Sequence, residues 1–65
     1  MYIGDIVRPV RKTIGGHLKE SIIWEDVLRG HACRVARIFP CGVILVESIL
    51  GHNDLFLEGD LERAR

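Results

Sequence analysis

Cys33-Arg-Val-Ala-Arg-Ile-Phe-Pro-Cys-Gly-Val-Ile-Leu-Val-Glu-Ser-Ile-Leu50 is the stretch whose reading decides the fold of this chain. Val43 to Val46 run without a polar break, and Ile49 and Leu50 follow after Glu47 and Ser48. A short apolar run so rich in β-branched side chains favours a strand buried on both faces or nearly so. Upstream, Ala32 to Phe39 alternates less cleanly, with Cys33, Val35 and Phe39 on one parity and Ile38 on the other. A β-bulge or strong bend near Arg37 brings Val35 and Ile38 to the same side, as small barrels require. Between the two strands, Phe39-Pro40-Cys41-Gly42 carries turn chemistry. Proline presets φ at the second turn position, and glycine accepts the left-handed conformation at the fourth.

On the N-terminal side, Gly4-Asp5 marks a turn, and the apolar residues after it make a first strand that carries Arg8 and Arg11. Pro9 cannot donate to a ladder, so that strand is an edge there or ends there. Thr13 to Gly30 is too long for a bare connection and must hold structure of its own. Within it, Ser21 to Gly30 has two readings. One is a short helix with Ser21 as its cap, Arg29 in its last turn and Gly30 as its stop. The other is an excursion loop that folds Trp24 and Leu28 back onto the sheet. On the C-terminal side, Gly51 to Asp54 reads as a turn and Leu55-Phe56-Leu57 as a short strand. Glu58 to Leu61 is a helical turn, and Glu62 to Arg65 a last strand.

The chain has 65 residues, 48% of them apolar, which bounds it to one domain over residues 1–65. A chain of this size buries only about 60% of its unfolded surface, so some apolar surface is left over for a partner or a second copy. Nine basic side chains balance nine acidic ones. That balance excludes a strongly basic nucleic-acid arm and an acidic DNA mimic. No apolar run approaches a membrane span and the opening residues carry no signal-peptide pattern, so the expectation is a soluble, cytoplasmic protein with no membrane contact. Cys33 and Cys41 are separated by mostly extended chain, too far for a disulfide, and are expected as one buried and one exposed thiol.

The order of elements resembles the SH3-like barrel: Gly4-Asp5-x-Val7-Arg8 at the start, Gly30 with Val35 and Ile38, then Val43-Ile-Leu-Val-Glu47, and a closing Phe56-Leu-Glu-Gly-Asp-Leu-Glu-Arg63. The resemblance spans nearly the whole chain. It implies five strands, a long first loop, tight later hairpins and one helical turn before the last strand. Three families within that architecture are similar in part. Gly30, Val35, Ile38 and Val46-Glu47 match the KOW motif of transcription and ribosome-associated proteins, with Cys33 where the motif has its second glycine. Gly4-Asp5-x-Val7-Arg8 and Leu61-Glu62-Arg63 are similar to the plasmid-encoded type II dihydrofolate reductases. Asp54 to Leu57 stands where those enzymes carry a catalytic Val-Gln-Ile-Tyr, so no catalytic residue transfers. The small docking subunits of photosynthetic electron-transfer complexes share the opening and closing patterns, and they act by binding larger proteins.

Chemistry-bearing residues are sparse. His31, Cys33, Cys41 and His52 are of ligand type, but structural zinc needs pairs two to four residues apart on a turn, and only His31-x-Cys33 approaches that, so neither metal nor cofactor is expected. Cys41 has no Cys-x-x-Cys context to activate it. Glu25, Asp26, Asp54, Glu58 and Asp60 fall in turns and loops, where acids are ordinarily solvated. No strained nucleophile elbow or phosphate-binding glycine loop is present. A non-catalytic interaction module is therefore the leading reading. It binds a protein partner or its own copies through the first loop (His17 to Leu28) and nearby strand edges, with Ile22, Ile23, Trp24 and Leu28 as contact residues. The alternative is a KOW-like nucleic-acid binder using Arg8, Arg11, Arg34 and Arg37 on phosphates. Against it stands the plain reading of those arginines as outer-face stems paired with Glu47 or Glu62. A third reading, an oligomeric reductase-like enzyme, requires a site at a symmetry axis.

Overall fold

Val35 and Val46 face each other across an antiparallel ladder, both fully buried, and the rest of the molecule closes over that pair. The computed structural model describes residues 1–64. Five strands form one antiparallel sheet: β1 (Ile6–Pro9), β2 (Cys33–Ile38), β3 (Val43–Ser48), β4 (Asn53–Leu57) and β5 (Leu61–Arg63), ordered β4-β3-β2-β1-β5. Arg65, expected in the last strand, lies outside the described residues. The central hairpin forms as expected, with its bulge near Arg37. Val35 pairs with Val46 but Arg37 with Leu45, so Ala36 is the extra residue. Gly42 closes the turn at φ 89°, its N–H donating to Phe39 O at 3.0 Å.

Two details of the hairpin differ from expectation. β3 alternates, with Ile44, Val46 and Ser48 buried and Val43, Leu45 and Glu47 half-buried, so only one of its faces is sealed. Ile38 shares the core face with Ile44 by register but lies at the end of the ladder, where it stays exposed. β4 also begins two residues early, because Asn53 and Asp54 continue the pairing with β3.

The core comprises Val7, Ile23, Cys33, Val35, Ile44, Val46, Phe56 and Leu61, with Met1, Leu18 and Val27 packed against it. Ile23 comes from α1 (Ile22–Leu28), the helical alternative for this segment. Gly30, at φ 89°, provides the left-handed stop. Ser21 precedes the helix as expected, but its hydroxyl donates to Asp54 Oδ2 at 2.8 Å instead of capping the helix backbone. The segment is thereby tethered to β4, so a seven-residue helix that could not persist alone is held by packing and by this anchor.

Pro9 sits inside the sheet, between β2 and β5. Val35 N donates to Asp5 O, so odd-numbered residues of β1 direct their backbone toward β2. The missing N–H of Pro9 therefore falls on that side, and the β1–β2 ladder stops at Val7–Cys33. On the other side β1 runs on to Val10 N, which donates to Asp60 O at 2.8 Å.

Among the described residues no backbone ladder joins β4 to β5. The gap is spanned by a single 3₁₀ turn, Glu58–Asp60, and by side chains of residues 11–13. Arg11 Nε reaches Asp60 Oδ1 at 2.8 Å, and Thr13 donates its N–H and its hydroxyl to the same carboxylate, each at 2.9 Å. Lys12 Nζ lies 3.0 Å from Asp54 Oδ1. Of the five acids expected to be solvated, Glu25 and Glu58 are exposed, but Asp26 and Asp60 are buried and Asp54 is half-buried, each with hydrogen-bonding partners. Among the described residues no helix is long and apolar enough to cross a membrane.

Candidate interaction surface

At one end of the sheet, the last turn of α1, the start of β2 and the β3–β4 turn converge. Asp26 holds them together. Its carboxylate Oδ2 lies 2.8 Å from His52 Nδ1, and its backbone carbonyl accepts the His31 N–H at 2.9 Å. The hydrogen bond with His52, reinforced by one from Ser48, outweighs burial and holds the Asp26 carboxyl below the usual carboxylate range. Ile49 N donates to Ala32 O at 3.1 Å, which ties the β3–β4 turn to β2. Gly51 at φ 88° closes that turn with its N–H on Ser48 O.

This fixed frame presents apolar side chains to solvent. Leu28 is 65% exposed, Ile49 70% and Leu50 48%. Two open grooves lie at the same end of the sheet, and Ile49 lines one of them. One, of about 510 Å³, runs along Ala32, Arg34, Glu47, Ser48, Ile49 and Gly51. The other, of about 440 Å³, opens where β1 and β2 part beyond the Val7–Cys33 pair, between Val27, Gly30, His31, Arg8 and Ala64. Ile6, Ala32 and Cys33 belong to both.

Of the four contact residues read from the sequence, Leu28 lies at this end. Ile22, 37% exposed, sits at the opposite end of α1, and Trp24 is half-buried between them. Ile23 is a correction. It is fully buried in the core because it lies on the helix face turned to the sheet, and it cannot meet a partner. Ile49 and Leu50, which follow Glu47 and Ser48 in the apolar stretch, stand outside β3, in the β3–β4 turn. The signal that they stand outside it is local: two apolar residues caught between Ser48 and Gly51, a turn too short to fold them inward.

The four arginines do not form one free basic wall. Arg8 pairs with Glu62, Arg34 with Glu47 at 3.3 Å and Arg11 with Asp60. These include the two pairings that the plain reading anticipated. Arg37 has no carboxylate within bonding distance among the described residues and stacks its guanidinium 5.2 Å from the Phe39 ring centroid. Arg8, Arg34 and Arg37 lie on the outer face of β1 and β2, whereas Arg11 lies past the end of β1 against the Glu58–Asp60 turn.

Burial, with the nearby charge of Asp26, pushes the Cys33 thiol up to about 11, which leaves it protonated at neutral pH. Cys41 is exposed on the far hairpin turn. No group of three or more His, Cys, Asp or Glu side chains is placed to hold a metal ion among the described residues. Comparison with protein-family models, with curated proteins and with solved structures finds no match to this chain.

Proposed function

We propose that the chain is a non-catalytic interaction module of the SH3-like barrel type, which binds a protein partner through the end carrying Leu28, Ile49 and Leu50. The barrel reading is supported by five antiparallel strands in this order, a first connection of more than twenty residues that holds α1, tight later hairpins and a single helical turn before the last strand. Adjacent residues Arg11 and Lys12 reach Asp60 in the turn before β5 and Asp54 in β4, which supports reading the two ends of the sheet as drawn toward each other. The observation that carries the binding reading is the exposure of Leu28, Ile49 and Leu50 on a frame pinned by buried Asp26, with Ile49 at the edge of an open groove. Apolar anchors on a pre-organised frame lose little freedom on binding, and a rim including Arg34, Glu47 and His31 would set orientation.

The test is capture by the immobilised protein at about 50 and 200 mM salt, the range over which counterion release weakens phosphate binding steeply. A bound protein retained at both concentrations is expected, and lost in Leu28→Asp/Ile49→Asp with melting unchanged. Binding that collapses with salt and ignores that double substitution would overturn this reading in favour of phosphate contact by the outer-face arginines.

A further inference from the structure

The free edge of β4 is stoppered by side chains. Ser48 N donates to His52 O at 2.8 Å, and Val46 and Ile44 then pair with Asp54 and Phe56. By antiparallel alternation, Asp54 and Phe56 turn their backbone groups toward β3, and Asn53, Leu55 and Leu57 turn theirs outward. Leu55, at the middle of the strand, has both outward groups occupied. Its N–H donates to Asp54 Oδ1 at 2.8 Å, and its carbonyl accepts from Lys12 Nζ at 2.6 Å. Lys12 is held for this purpose, with a side chain only 6% exposed and its ammonium 4.5 Å from the Phe56 ring centroid. Ser21 fixes the other Asp54 oxygen. A lysine on an exposed loop has no need of burial, and desolvating its charge is costly unless the groups it reaches must be kept occupied.

We propose that Lys12 and Asp54 form a removable stopper on β4 and that, once it is withdrawn, β4 pairs antiparallel with β4 of a second copy. The strand is self-complementary about its centre. A two-fold axis at Leu55 sets that residue against its own mate and each Asn53 against the other copy's Leu57. The outer-face pair Leu45–Leu55 would then continue across the joint as one apolar row, covering a Leu55 side chain that is half open to water in the single chain. In the closed state the same groups keep the chain from pairing edge to edge.

The inference is independent of the Leu28–Ile49 surface and is tested separately from it. Lys12→Met keeps the aliphatic stem on Phe56 and removes the ammonium, and Asp54→Ala removes the cap on the Leu55 N–H. Sedimentation velocity and amide exchange are read on the wild type, on Lys12→Met and on the double variant. Freeing charge-assisted bonds of this kind is expected to strengthen pairing by about tenfold or more, with Leu55 exchange slowing as protein concentration rises. Adding Leu55→Pro, which has no N–H to donate, returns the variant to a monomer, whereas Leu28→Asp/Ile49→Asp leaves the pairing intact. Should the double variant fail to fold, Lys12→Met with Asp54→Ser, which leaves Ser21 a hydroxyl to bond, gives the same reading. A folded variant that remains monomeric, a dimer that survives Leu55→Pro, or concentration-dependent protection of Leu55 in the wild type overturns the proposal.

Discussion

Asp60 and Asp54 show how a net-neutral chain spends its charges. Both carboxylates lose water on folding, which alone would raise their pKa. For Asp60 the bonds from Thr13 and Arg11 outweigh that burial, and for Asp54 those from Lys12, Ser21 and the Leu55 N–H do so. Asp26 is likewise held low, by His52 first. All three folded values lie beneath the ordinary 3.8, so each acid contributes stability that is fully present above that value. The contribution is lost as pH falls through the lowered folded values. The melting temperature should therefore hold from neutrality down to about pH 5 and then drop steeply below about pH 4, and Asp60→Asn should flatten the drop. A melting temperature unchanged at pH 3 would show that these acids are not the anchors described.

At the scale of the element, α1 illustrates what packing adds to a weak local signal. Its Glu25–Arg29 pair at 2.6 Å is exposed and contributes at most about 0.5 kcal/mol. The helix exists because Ile23 enters the core and because Ser21 and Asp26 tie its two ends to the sheet. Neighbouring isoleucines should accordingly behave as opposites. Ile23→Ala is expected to cost about 2–5 kcal/mol, enough to unfold a domain this small, while Ile22→Ala stays within about 0.5 kcal/mol. Equal costs measured by urea denaturation would mean that the helix is turned otherwise.

For the whole molecule, strand content and the central hairpin were legible because turn residues and β-branched runs are local signals. Pro40 and Gly42 set the turn, and the parity slip between Val35 and Ile38 announced the bulge at Ala36. The helix was legible only as an alternative, since its decision rests on Asp54, thirty-three residues from Ser21. The same distance hid the buried acids. Asp26, Asp54 and Asp60 look like solvated turn residues until Lys12, Thr13 and His52 arrive from elsewhere in the chain. Of the surface, Leu28 was legible as an apolar residue beside a helix stop. Ile49 and Leu50 are hidden by sequence continuity with a buried strand, and Ile23 reads as a contact residue within the first loop until the packing of α1 on the sheet turns it inward.

The placement of the two sulfurs, one sealed at the β1–β2 seam and one open on the far hairpin, makes the native chain its own chronometer. A colorimetric thiol reagent should consume Cys41 at once, and Cys33 only as fast as that seam parts, so the slow phase times the breathing of the sheet without any engineered label. Two prompt equivalents would mean that the seam beside Pro9 is already ajar.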